Sequence, residues 1–368
     1  MYGPFGRYVI PWYGRELDRI EKILHNKEYD RFDLLKRVED LRVEIYDLKD
    51  EGFIDLSAEF QKQHRALDRL DAIYQKLYKP GDENLLHPLP RADRLVPKSL
   101  FSESEEYGEP QPLDEYLVRL EKLTFDDVGN FVRNSDELKL WREAALLILK
   151  QQTAFAESIL HNKFDLLVAL LRDMLPQYLI SRWKGIPSLA LPLSRTYLNR
   201  FGNNYDAYDH ITGPLYEALE KHPDDFEKMW NLTCNLMSER IKKEDNMNFL
   251  AETLRHEFKE IQNAENILVI ETGLQATMPL LFEGVFEKKS KWLMFTAAPW
   301  LLDIYKERLF CHQYTMLRPC ETLFCNEKLF KFCFENNSTY VRETKDSSAR
   351  DLAYWEIVSL KNLCMNNY

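Results

Sequence analysis

Ile267-Leu268-Val269-Ile270-Glu271-Thr272-Gly273-Leu274-Gln275-Ala276-Thr277-Met278-Pro279 is the stretch whose reading decides the fold. Four consecutive large apolar residues predict a strand over 267–272 that is buried on both faces, the condition strands meet in parallel sheets. An acid, a hydroxyl and a glycine follow at once, so the chain is expected to turn there. Thr277 is suited to cap a helix over 278–287, with Pro279 tolerated in its first turn. A sharp passage from strand to helix directs free backbone N–H groups at one point. Such a point is an anion site, and phosphate is its usual occupant.

Outward from this stretch, the spacing predicts a strand at 292–296 and a helix over 300–309. Upstream, Gly185-Ile186-Pro187 breaks a helix before a short strand at 188–193, and helices are expected near 211–221, 223–242 and 248–262. A strand at 339–343 and a helix over 348–363 end the chain. Strands alternating with helices imply crossovers and a mainly parallel sheet. Residues 184–368 therefore read as an α/β domain with a mainly parallel sheet, Rossmann-like in type.

The N-terminal part reads as all-α. Leu34, Val38, Leu41, Ile45 and Leu48 recur at alternating spacings of four and three, and Phe60, Leu67, Leu70, Tyr74 and Leu77 repeat the pattern. Such coiled-coil-like seams on two helices with a short break predict a helical hairpin within 1–78. Residues 32–78 then offer a surface for a homo-oligomer or a protein partner. Pro80, Pro88, Pro90, Pro97, Pro110 and Pro112 mark 79–112 as a linker or long loop. Residues 113–183 read as a helical segment packing on the core.

With 368 residues, 45% of them hydrophobic, the chain has enough apolar material for two domains. Its formal net charge of −11 disfavours nucleic acid as a partner. Lys288-Lys289-Ser290-Lys291 is too short for a basic stripe and reads as a solvated turn. The apolar runs are too short to span a membrane. Cys234, Cys311, Cys320, Cys325, Cys333 and Cys364 form no CxxC pair, and no secretory signal is evident. A reducing, cytoplasmic setting with free thiols is expected.

The stretch 267–279 resembles the diphosphate-sugar loop of the type I phosphoribosyltransferases, in which an apolar strand, acids, small and hydroxyl residues, and a Thr precede a helix. Segment 190–203 resembles the strand and basic loop found upstream in some of these enzymes. The resemblance implies that Glu271 is the catalytic acid, meeting ribose hydroxyls or a metal-bound water. It also implies a phosphate cradle built from Thr272, Gly273, Gln275, Ala276 and Thr277, with Arg195 and Arg200 on the pyrophosphate. The ligand implied is a phosphorylated small molecule, the cofactor Mg²⁺, and the reaction phosphoribosyl transfer or hydrolysis.

Two other chemistries are written in the chain. Glu343-x-Lys345 on a strand, with Glu356 on the helix beyond, resembles a metal-dependent nuclease core, in which the Glu holds Mg²⁺ and the Lys positions water. Glu335 is the upstream acid available to it. Cys311-His312, Cys320, Cys325 and Cys333 would form a thiol–metal cluster, although their spacing matches no zinc knuckle. A non-catalytic scaffold that uses the helical hairpin is the remaining class.

Overall fold

A computed structural model describes residues 6–26, 29–50, 58–82, 106–159, 163–193, 213–214, 217–218, 220–222, 225–243, 245–274, 276–297, 308–313, 329–335 and 338–365. They belong to two compact units, one built on the N-terminal helices and one on the sheets.

The first unit contains α1 (Gly6–Asn26), α2 (Arg31–Asp50) and α3 (Ala58–Leu77). Leu17 and Ile20 of α1, Leu34, Leu35, Val38 and Leu41 of α2, and Leu70, Ile73 and Leu77 of α3 are buried. Asp30 caps α2, its Oδ1 accepting from the N–H groups of Phe32 and Asp33 at 2.8 and 2.9 Å. Arg31 donates to the Leu77 carbonyl and forks onto Asp82, and Arg42 reaches Asp71 at 2.6 Å. These ties join the start of α2 to the end of α3, so the two helices run antiparallel.

The second unit begins with β1 (Gln111–Pro112), α4 (Leu113–Lys122), α5 (Asn130–Asn134) and α6 (Lys139–Ile159). It continues through β2 (Leu166–Leu170), α7 (Leu175–Trp183), β3 (Ser188–Leu191), α8 (Phe226–Lys243), α9 (Asp245–Glu257) and α10 (Lys259–Asn263). Then come β4 (Ile267–Leu274), α11 (Thr277–Phe286), β5 (Lys291–Ala297), β6 (Leu309–Gln313), β7 (Phe330–Glu335), β8 (Ser338–Glu343) and α12 (Ser347–Met365).

Five strands form a parallel sheet in the order β3-β2-β4-β5-β6. Leu167, Val168, Ala169, Leu268, Val269, Ile270, Trp292, Leu293, Met294 and Phe295 are all buried, as a sheet covered on both faces requires. Ala169 pairs with Ile270 and Leu170 with Leu191, which fixes the register of the three strands on one side. At the amino edge Asp165 Oδ2 accepts from the N–H groups of Asn266 and Glu265, holding the starts of β2 and β4 level. Phe155 of α6 meets Phe295 of β5 edge-on, and Trp141 of α6 meets Trp355 of α12.

A second, antiparallel sheet has the order β1-β8-β7. Pro112 stands on its edge strand, where a missing N–H is harmless.

Three expectations change. First, residues 113–183 are not purely helical: 166–170 is strand β2, and the segment lies in the same unit as the sheet, so the α/β part does not begin at 184. Second, Leu309, expected to end a helix, opens strand β6, while the expected helix over 300–307 lies outside the described residues. Third, the end of the Pro-rich stretch is ordered as β1, whereas 83–105 lies outside the described residues. No described helix is long and apolar enough to cross a membrane.

Candidate functional site

Strand β4 does not stop at Thr272. It runs on to Leu274, so Thr272 and Gly273 are strand residues and the passage into α11 is only two residues long. Extended backbone from Glu271 to Leu274 replaces the wider loop expected from the small and hydroxyl residues. Ala276 makes the turn in the left-handed region, with φ 54° and ψ 24°, and is fully buried. An alanine adopts that conformation at a cost, because its Cβ crowds the following carbonyl. The Leu280 N–H closes onto the Ala276 carbonyl at 3.1 Å, which starts the helix. Pro279 has no N–H, so Thr277 and Met278 carry the first-turn donors that have no intrahelical acceptor.

The order β3-β2-β4-β5-β6 reverses between β2 and β4. From β2 the chain passes to β3 on one side, and from β4 to β5 on the other. Chains leaving the carboxyl ends of such a strand pair diverge, and the crevice between them is where doubly wound sheets hold ligands. Here α7 follows β2 and α11 follows β4, so two helix amino ends open at the same edge.

Charged side chains stand at this edge. Pairing of Ala169 with Ile270 puts Glu271 level with Leu170, at the carboxyl end of β2. Glu271 is half-buried. Arg172 and Asp173 lie in the turn between β2 and α7. That turn is held by the Leu171 N–H on the Leu191 carbonyl (2.9 Å) and the Leu175 N–H on the Arg172 carbonyl (3.0 Å). Arg172 is half-buried and Asp173 exposed. Thus Glu271, Ala276 and Thr277 share one edge of the sheet with Arg172 and Asp173. Arg195, Arg200 and Gln275 lie outside the described residues, as do the side chains of Thr272 and Thr277, while Gly273 is described as backbone within β4. Arg172 is not legible in the sequence, because β2, the strand that ends just before it, lies in a segment whose pattern reads as helical.

The nuclease residues do not converge. Glu343 Oε2 meets Arg119 at 3.0 Å, and its Oε1 accepts from the Tyr354 hydroxyl at 2.6 Å. Lys345 is exposed and reaches Glu106 at 3.9 Å. Glu335 pairs with Ser338 at one end of the β7–β8 hairpin, while Glu343 pairs with Phe330 at the other. Glu356 is buried in α12. Among the described residues no group of three or more His, Cys, Asp or Glu side chains is placed to hold a metal ion. Of the expected thiol cluster, Cys311 is on β6 and Cys333 on β7, in different sheets, and Cys320 and Cys325 lie outside the described residues.

No protein-family model, curated protein or solved structure matches the chain.

Proposed function

We propose that the protein binds a phosphorylated small molecule, with a phosphoribosyl compound as the leading class, at the carboxyl edge of the parallel sheet between β2 and β4. One observation carries this: the reversal of strand order falls between the two strands that deliver Arg172 and Glu271 to the same edge, beside the amino ends of α7 and α11. Helix amino ends and a guanidinium both favour phosphate. Glu271 would accept from ligand hydroxyls, and Arg172 would take the part given above to Arg195 and Arg200. Transfer or hydrolysis of a phosphoribosyl group is the reaction this arrangement would serve.

Mg²⁺ fits as a companion of the ligand: it binds through one or two carboxylates plus substrate phosphates, and Glu271 and Asp173 supply carboxylates at this edge. The scaffold alternative has less support, because Leu34, Val38, Leu41, Leu70 and Leu77 of the seams on α2 and α3 are buried. A thermal-shift titration with phosphoribosyl pyrophosphate, with and without Mg²⁺, tests the proposal. Ligand should raise the Tm of the wild type, since it binds the native state, and should do so much less for Glu271→Gln. An unchanged wild-type Tm at millimolar ligand would count against it.

A further inference from the structure

The basic run at 288–291 is a turn into β5 with Lys289 and Lys291 exposed, as its composition suggests, but it is anchored through Ser290. Ser290 is buried, and both its N–H and its hydroxyl donate to Glu283 Oε1 at 2.7 Å. The Trp292 indole N–H donates to the same oxygen at 3.3 Å. On the other carboxyl oxygen Cys234 donates from its thiol at 3.7 Å, and Arg308 lies at 3.6 Å. Glu283 therefore ties the end of α11, the start of β5 and the approach to β6 to the flank of α8.

This clamp holds Lys288 and Lys289 at the rim of a cavity of about 350 Å³. Asn231, Asn235 and Ser238 of α8 line it, together with Cys234 and Lys242. Their spacing puts them on one face of the helix. A face that only packs against a neighbouring helix is apolar, and α8 has such a face in Trp230, Met237 and Ile241, all buried. The cavity face is polar along its whole length. Its volume falls within the range of small-molecule sites, about 300–1,000 Å³.

Charge identifies the occupant. Glu287 is matched by Lys242 at 2.7 Å, Arg255 at 3.5 Å and the Ser238 hydroxyl at 2.8 Å. Glu283 has its own donors. Lys288 donates to the neutral Ala264 carbonyl and keeps its charge, and Lys289 has no ion-pair partner among the described residues. The cavity is thus a local excess of positive charge in a chain of net charge −11. Burial pushes the Cys234 thiol up to about 12, so it adds no opposing charge at neutral pH.

We infer that this cavity is a second ligand site, separate from the crevice at the carboxyl edge, and that it takes a small hydroxylated anion bearing a phosphate or a carboxylate. Lys288 and Lys289 receive the anionic group. Asn231 and Asn235 hydrogen-bond the hydroxyls.

Isothermal titration of the full chain with glucose 6-phosphate and with citrate tests this and sorts phosphate from carboxylate. At least one probe should bind the wild type. Lys288→Ala/Lys289→Ala should weaken that binding about tenfold or more, Lys288→Arg/Lys289→Arg should retain it, and Arg172→Ala should leave it unchanged. The site is refuted if neither probe binds at millimolar concentration, or if the double alanine variant binds like the wild type. Loss of binding in Arg172→Ala alone would place the probe at the other crevice and refute this site as well.

Discussion

The guanidinium of Arg119 and the carboxylate of Glu343 face each other at 3.0 Å, and the Tyr354 hydroxyl touches both, accepting from Arg119 at 2.5 Å and donating to Glu343 at 2.6 Å. The three residues come from α4, β8 and α12, so the triad fastens the small antiparallel sheet to two helices. Burial, with Glu343 adding to it, pushes the Tyr354 hydroxyl up to about 12, and it stays protonated at neutral pH. Tyr354→Phe should cost about 1–2 kcal/mol, because it strips a donor from Glu343 and an acceptor from Arg119. Urea melts check this. A nuclease role for Glu343 predicts instead a loss of metal-dependent cleavage with little change in stability.

Glu356 is buried in α12, and one of its carboxyl oxygens has no hydrogen-bond partner. Desolvation holds its pKa well above the ordinary 4.5. The folded chain therefore binds a proton that the unfolded chain releases. The associated stability is complete below the unfolded value and is lost as pH rises through the raised folded one, at about 1.4 kcal/mol per pH unit. Glu356→Leu should stabilise the protein at pH 7 by about 1–4 kcal/mol and flatten this dependence. Melts from pH 5 to 9 would show it. A destabilised variant would mean that the carboxyl group has a partner.

Ala276 turns the chain into α11 with a positive φ. Ala276→Gly should relieve the Cβ crowding and raise stability by about 1 kcal/mol, less the entropy glycine adds to the unfolded state. If the left-handed turn supports the ligand crevice, affinity should stay within about threefold, since backbone donors and not the methyl group meet the ligand.

Much of the parallel sheet can be read from single runs. Ile267–Ile270 carry four large apolar residues between polar neighbours, and β5 repeats the pattern. β2 is hidden because Leu166-Leu167-Val168-Ala169-Leu170-Leu171 lies between two helices, α6 and α7, and an apolar run alone does not separate strand from buried helix. β6 is hidden differently: its first residue, Leu309, reads as the end of a helix over 300–309, and no run of apolar residues marks the rest. Strand order depends on pairings between distant segments, which no local pattern records.

The candidate site divides along the same line. Glu271 announces itself by following an apolar strand, whereas Gly273 looks like a loop residue because glycine usually marks a turn. Arg172 and Asp173 become visible only once β2 is known to lie beside β4. Cys234 and Arg308 are distant in sequence from the Glu283–Ser290 pair and meet it only through packing.

The crevice between β2 and β4 is tested most directly by isothermal titration with phosphoribosyl pyrophosphate and Mg²⁺, comparing the wild type with Arg172→Ala and Glu271→Gln. A site built on this edge predicts saturable one-to-one binding that each substitution weakens about tenfold or more, with both variants folded by circular dichroism. Wild-type binding that both substitutions leave intact, or no binding at all, would contradict it.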